Sequence, residues 1–122
     1  MVGGTDNVVE RVTIRGFGNS GICTSQLSNQ VRLTHVTDGG LIGGDNACVH
    51  ADNTPTDCAT NNCTKVWSFN WVHNCREKCM RCDDGSQNCT IHNNVVFNCG
   101  KPLHNGSPAG VLLKGRVVYL CE

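Results

Sequence analysis

The chain has 122 residues, enough for one domain with a modest core. Its ten Lys and Arg balance ten Asp and Glu, so the formal net charge is zero. No basic stripe interleaved with aromatics is present, which argues against a nucleic-acid partner. Neither an apolar run near the roughly 20 residues of a membrane span nor an amphipathic surface helix can be found, which argues against a membrane partner.

Taken in order, Met1-Val-Gly-Gly-Thr-Asp6 lacks the basic and apolar regions of a secretory signal. Val12-Thr-Ile-Arg-Gly-Phe-Gly-Asn19 then opens a pattern that returns as Val31-Arg-Leu-Thr-His-Val-Thr-Asp38. After a polar stretch the pattern resumes as Trp67-Ser-Phe-Asn-Trp-Val-His-Asn74 and Ile91-His-Asn-Asn-Val-Val-Phe-Asn98. The closing residues Asn19, Asp38, Asn74 and Asn98 are 19, 36 and 24 residues apart. β-Branched and aromatic residues dominate, and Val12/Ile14 and Val31/Leu33 alternate with period two, so the segments are expected to be strands. No window carries a helical stripe with caps. Short strands repeating every ~20–25 residues predict a solenoid whose turns bury their apolar faces by stacking. The long middle step predicts an inserted loop over 45–62.

Stacked turns would bring equivalent Asn residues within hydrogen-bonding reach. Two ladders are expected: Asn19, Asp38, Asn74 and Asn98, and then Asn29, Asn62 and Asn88. The final segment, Arg116-Val-Val-Tyr-Leu-Cys-Glu122, reads as a strand with nothing to cover it, so a module of a longer chain is expected.

Ten cysteines, an even number, favour disulfides and a secreted or extracellular location. Asn-x-Ser/Thr sequons at Asn62, Asn88 and Asn105 are compatible with that route. Cys75 and Cys99 each follow a closing Asn, which places them on successive turns within disulfide range. Cys58 and Cys63 bracket a short turn, and Cys48 is within reach of Cys79 or Cys82. The alternative is a core stack of reduced thiols. A zinc site from His73, Cys75, Cys79, Cys82 and Cys89 is disfavoured, because Cys79-x2-Cys82 is the only CxxC. The C-x3-C-x2-C run from Cys75 to Cys82 has the spacing of an iron–sulfur loop. The chain is too short and has too little helical patterning for the barrel that loop serves.

The segments Lys65-Val-Trp-Ser-Phe-Asn-Trp-Val-His-Asn-Cys75 and Asn88-Cys-Thr-Ile-His-Asn-Asn-Val-Val-Phe-Asn-Cys-Gly100 resemble coils of the pectin-lyase-like superfamily. That resemblance, covering residues 8–100, implies an all-β, right-handed parallel β-helix of four to five coils. It also implies a bias toward polysaccharide ligands and includes lyases, hydrolases, epimerases and non-catalytic surface proteins. Whether the chain is catalytic is left open. Its candidate catalytic residues are His50, Asp52, Lys78, Arg81, Asp83 and Asp84. Paired carboxylates act on glycosidic bonds as acid and base, whereas a lyase would use Lys or Arg with Ca²⁺ on the Asp oxygens. No other cofactor is expected. The plainer reading of Asp83-Asp84-Gly85 is a turn. Trp67 and Trp71 would share a strand face, as a sugar-stacking platform or, more simply, as core. The rival to a carbohydrate-active module is a non-catalytic structural or adhesive segment.

Overall fold

The computed structural model describes residues 4–24, 28–51, 64–83, 88–105, 111–114 and 118–120. Among them there is no helix; the chain is all-β and every described strand pair is parallel. The strands are β1 (Asn7–Glu10), β2 (Thr13–Arg15), β3 (Ile22–Thr24), β4 (Asn29–Arg32), β5 (His35–Gly39) and β6 (Ala47–Ala51). They continue as β7 (Lys65–Ser68), β8 (Trp71–Cys82), β9 (Cys89–His92), β10 (Val95–Asn105), β11 (Val111–Lys114) and β12 (Val118–Leu120). A five-stranded sheet runs β1-β4-β7-β9-β11 and a seven-stranded one runs β12-β10-β8-β5-β2, with β3 and β6 attached through β8. No strand pairs with its sequence neighbour. Asn7 lies beside Asn29, Asn29 beside Lys65, and Lys65 beside Cys89.

The alternation in the sequence becomes three inward columns. Val31, Trp67 and Ile91 line up on the five-stranded sheet, and Val36, Val72 and Val96 on the seven-stranded one. Ile22, Val49 and Met80 form the third. All nine are buried. Burying each side chain contributes about 1.5–3 kcal/mol before entropy is counted.

Two corners recur in register, each held by left-handed backbone. The first is Arg11, Leu33, Phe69 and Asn93, with φ between 52° and 56°. For Leu33 and Phe69 that conformation costs about 1–2 kcal/mol each. It is offset by the next residue inward. Asn70 Oδ1 accepts from Thr34 N and Oγ1 at 3.1 and 2.8 Å, and Asn70 Nδ2 donates to Val31 O at 2.9 Å. Asn94 repeats this one strand on, accepting from Asn70 N and donating to Trp67 O, both at 2.9 Å. The second corner is Gly16, Asp38, Asn74 and Asn98. Asn98 Nδ2 donates to Asn74 Oδ1 at 2.8 Å, and Asn74 Nδ2 to Asp38 Oδ1 at 2.9 Å. The expected ladder therefore forms from Asp38 onward. Its first member is corrected: Gly16, whose N–H donates to Thr37 O, holds the place assigned to Asn19. The second ladder does not form as expected, because Lys65 and Cys89 are in register with Asn29. Asn62 lies outside the described residues. Of the stretch expected to be inserted, Ala47–Ala51 is a strand of the sheet, and 52–63 lie outside the described residues.

Candidate functional site

The bulge in β8 shapes what this surface carries. Cys99 pairs with Cys75, but Lys101 pairs with Lys78, so β8 holds one extra residue. A side chain at Gly100 would come within 2.8 Å of Glu77 O, so glycine allows the two strands to close over the bulge. Before the bulge β8 lies on β5, and after it on β6.

Beyond the bulge the candidate charged residues converge. Arg81 pairs with His50 across the strands. Its Nη1 donates to Asp45 Oδ1 at 2.7 Å and its Nη2 to Asp83 Oδ1. Lys78 Nζ donates to the same Asp45 oxygen at 2.9 Å, and His50 Nε2 lies 3.0 Å from Asp83 Oδ2. The hydrogen bond from Lys78, then that from Arg81, holds Asp45 below the usual carboxylate range. The structure thus brings together His50, Lys78, Arg81 and Asp83; Asp52 and Asp84 lie outside the described residues. Asp45, absent from the candidate catalytic set, joins the first strand of the cluster to the second. Both carboxylates are committed to cations. A general acid for glycoside cleavage needs a carboxyl held protonated by its surroundings, and Asp45 is shifted the opposite way. A Ca²⁺ ion at Asp45 or Asp83 would compete with Lys78 and Arg81 for the same oxygens. Arg81 Nε is buried without a partner among the described residues.

Before the bulge the outward residues are rings. His35 and Trp71 stack with centroids 4.6 Å apart, and His73 and Phe97 stack at 4.5 Å and 6°. His35 Nε2 and His73 Nε2 are 2.9 Å apart, and Thr37 Oγ1 meets His73 Nδ1 at 3.2 Å. Trp71 is 50% exposed at this row, with Val95 in register beside it. Trp67, by contrast, is fully buried, so it is not a stacking platform. The corner at Phe69 and Asn70 separates the two indoles, which overturns the expectation of a shared face.

The disulfides also differ from expectation. Cys75 and Cys99 are in register, but the bonds are Cys48–Cys75 and Cys79–Cys99. Both bonds run diagonally to the register: Cys99 lies level with Cys75 but bonds Cys79, and Cys48 lies level with Cys79, between Ala47–Lys78 and Val49–Met80, but bonds Cys75. Cys58 and Cys63 lie outside the described residues. Cys82 and Cys89 are buried thiols that share a hydrogen bond. That bond and burial raise the Cys82 pKa, while the same bond lowers that of Cys89. Lys65, fully buried beside them, has its pKa lowered by desolvation. The sequence reading missed this trio. Only the register of Lys65 with Cys89 announces it.

Comparison with known proteins found no matching family model, no matching curated protein and no matching solved structure.

Proposed function

We propose that this chain is an extracellular polysaccharide-binding module, built as a right-handed parallel β-helix whose outer face reads the glycan. The observation that carries this reading is the outward row of Trp71, His35, His73 and Phe97, stacked across β5, β8 and β10 with half of Trp71 exposed. The exposed half of Trp71 offers apolar indole surface to the C–H groups of a sugar, and imidazole and Thr37 add polar partners at the same level. The β-helix description is supported by wholly parallel pairing, by corners that recur in register, and by the right-handedness of about 98% of such crossovers. Two disulfides among the described residues support an oxidising compartment.

Binding is favoured over catalysis because the charged cluster satisfies itself. A hydrolase, lyase or epimerase would need an uncommitted acid or base, and Asp45, Lys78, Arg81 and Asp83 are bonded to one another. The same self-sufficiency supports the second reading, a structural or adhesive segment. Titration calorimetry against neutral glycans and polyuronates separates the two, with product analysis for reducing or unsaturated ends. Binding that Trp71→Ala abolishes, without product release, supports the module. Absence of binding to every glycan puts the structural reading ahead, and product formation would replace both with an enzyme.

A further inference from the structure

Beneath the ring-bearing face, sulfur from three strands collects at one point. The Sγ atoms of Cys75, Cys79 and Cys99 all lie within 4.8 Å of one another, and Cys48 Sγ is bonded to that of Cys75. Cys48, Cys75 and Cys79 are buried and Cys99 is partly buried. The two disulfides therefore lie against each other rather than apart. We propose that, when both disulfides are reduced, Cys48, Cys75, Cys79 and Cys99 become a tetrathiolate site for one zinc ion.

The geometry fits the metal. Zinc–thiolate bonds of about 2.3 Å set tetrahedral sulfur–sulfur separations of about 3.8 Å. The three mutual distances already fall within 4.8 Å. The fourth sulfur, that of Cys48, is joined to this trio through its bond to Cys75. The ligands come from β6, β8 and β10, each fixed in parallel register with its neighbour, so the backbone supplies the preorganisation. Tetrahedral all-sulfur coordination selects zinc or iron over harder cations. An access route exists as well. A cleft of about 320 Å³ opens over the site, lined by Cys75, Cys99, Gly100, Asn74, Asn98 and Arg76. Arg76, next to Cys75 and also lining the cleft, brings a positive charge near a site that a tetrathiolate would leave net negative. In the disulfide-bonded structure the carbonyl oxygens of His73, Val72 and Phe97 lie 3.4 Å from the sulfurs of Cys75, Cys79 and Cys99, within reach of a thiol S–H once the bonds are reduced.

The chemistry balances with a named reductant. Each disulfide takes two electrons from a dithiol or a trialkylphosphine and two protons, giving two thiols. The dithiol becomes a cyclic disulfide, or the phosphine becomes its oxide with water supplying the oxygen. Four thiols then bind Zn²⁺ as thiolates and release four protons. An added small-molecule disulfide reverses this: each of two equivalents takes two electrons and two protons to become two thiols, both protein disulfides re-form by exchange, and Zn²⁺ is released.

The test uses the full chain reduced with a phosphine, then titrated with Zn²⁺ and, in parallel, Co²⁺ as a spectroscopic reporter. Expected are one zinc per chain and the visible bands of tetrahedral cobalt with thiolate charge transfer, all absent from the oxidised protein. Cys48→Ser, Cys79→Ser and Cys99→Ser should each lose the tetrathiolate spectrum. Cys82→Ala, outside the site, should keep it. Circular dichroism before and after metal addition reports the fold. A reduced, folded chain that binds no metal would overturn the proposal. So would a tetrathiolate spectrum surviving in Cys48→Ser, or a reduced chain that loses its strand signal and does not regain it with zinc.

Discussion

The outer surface of the long strand β8 divides at its bulge, and the two halves differ in kind. After the bulge, Asp45, Lys78, Arg81, Asp83 and His50 use their polar atoms on one another. Before it, His35, Trp71, His73 and Phe97 stack on one another, with half of Trp71 exposed and edge nitrogens of the two histidines engaged internally. The charged half has the residue types that suggest catalysis, yet its groups are occupied. The ring half carries few titratable groups, yet it leaves apolar surface open. Residue type and occupancy of the polar atoms therefore rank the two surfaces in opposite orders.

The sharpest way to break this contrast is Arg81→Leu. The guanidinium is 9% exposed and bridges two carboxylates, so its loss strands Asp83 and weakens the hold on Asp45. Breaking a well-buried ion pair costs about 3–5 kcal/mol; with Asp45 73% exposed, about 2–3 kcal/mol is expected by urea denaturation. Glycan affinity of the folded protein should not change. Trp71→Ala should behave inversely, with stability within about 1 kcal/mol of the parent and glycan affinity reduced about 10- to 100-fold by calorimetry. A variant that lost both would erase the distinction. His73→Ala, which removes the ring between His35 and Phe97, should weaken binding several-fold and leave the charged half untouched.

The smallest effect is one of pH. Asp45 is held below its ordinary pKa by Lys78 and Arg81, so its pairing stabilises the fold fully above about pH 4. That contribution fades as pH falls through the lowered folded-state value. The difference in melting temperature between the parent and Asp45→Asn should therefore be present at neutral pH and close progressively in acid.

Much of the core was legible in the sequence. Val31, Val36, Val72, Ile91 and Val96 lie in the repeating segments, and all are buried. The Asp38–Asn74–Asn98 ladder was legible because Asn and Asp are the residues that accept left-handed backbone with a side chain to spare. Asn19 was misplaced because Gly16 adopts the same conformation with no side chain to mark it. The first corner was hidden for the opposite reason: Leu33 and Phe69 carry no turn signature, so Trp67 and Trp71 looked like neighbours on one face. Cysteine pairing was not legible because the bonds run diagonally to the strand register, Cys79 to Cys99 and Cys48 to Cys75, rather than between the level pair Cys75 and Cys99. His50, Lys78, Arg81 and Asp83 do lie together, but their mutual neutralisation depends on Asp45 from the turn before β6.

The corner columns also make an indexing system. Parallel strands have no hairpin to set their alignment, and a slip of one residue would turn a whole strand inside out. Here Asp38, Asn74 and Asn98 meet at separations of 36 and 24 residues, while Asn7 meets Asn29 at 22. Each strand's alignment is thus set afresh at its corner, whatever length of chain precedes it. Sequence added between Ala51 and Lys65 is therefore expected not to propagate an error to β7 and beyond. A peptide tag or a second binding loop grafted into that interval should leave the ring row and the charged cluster where they are.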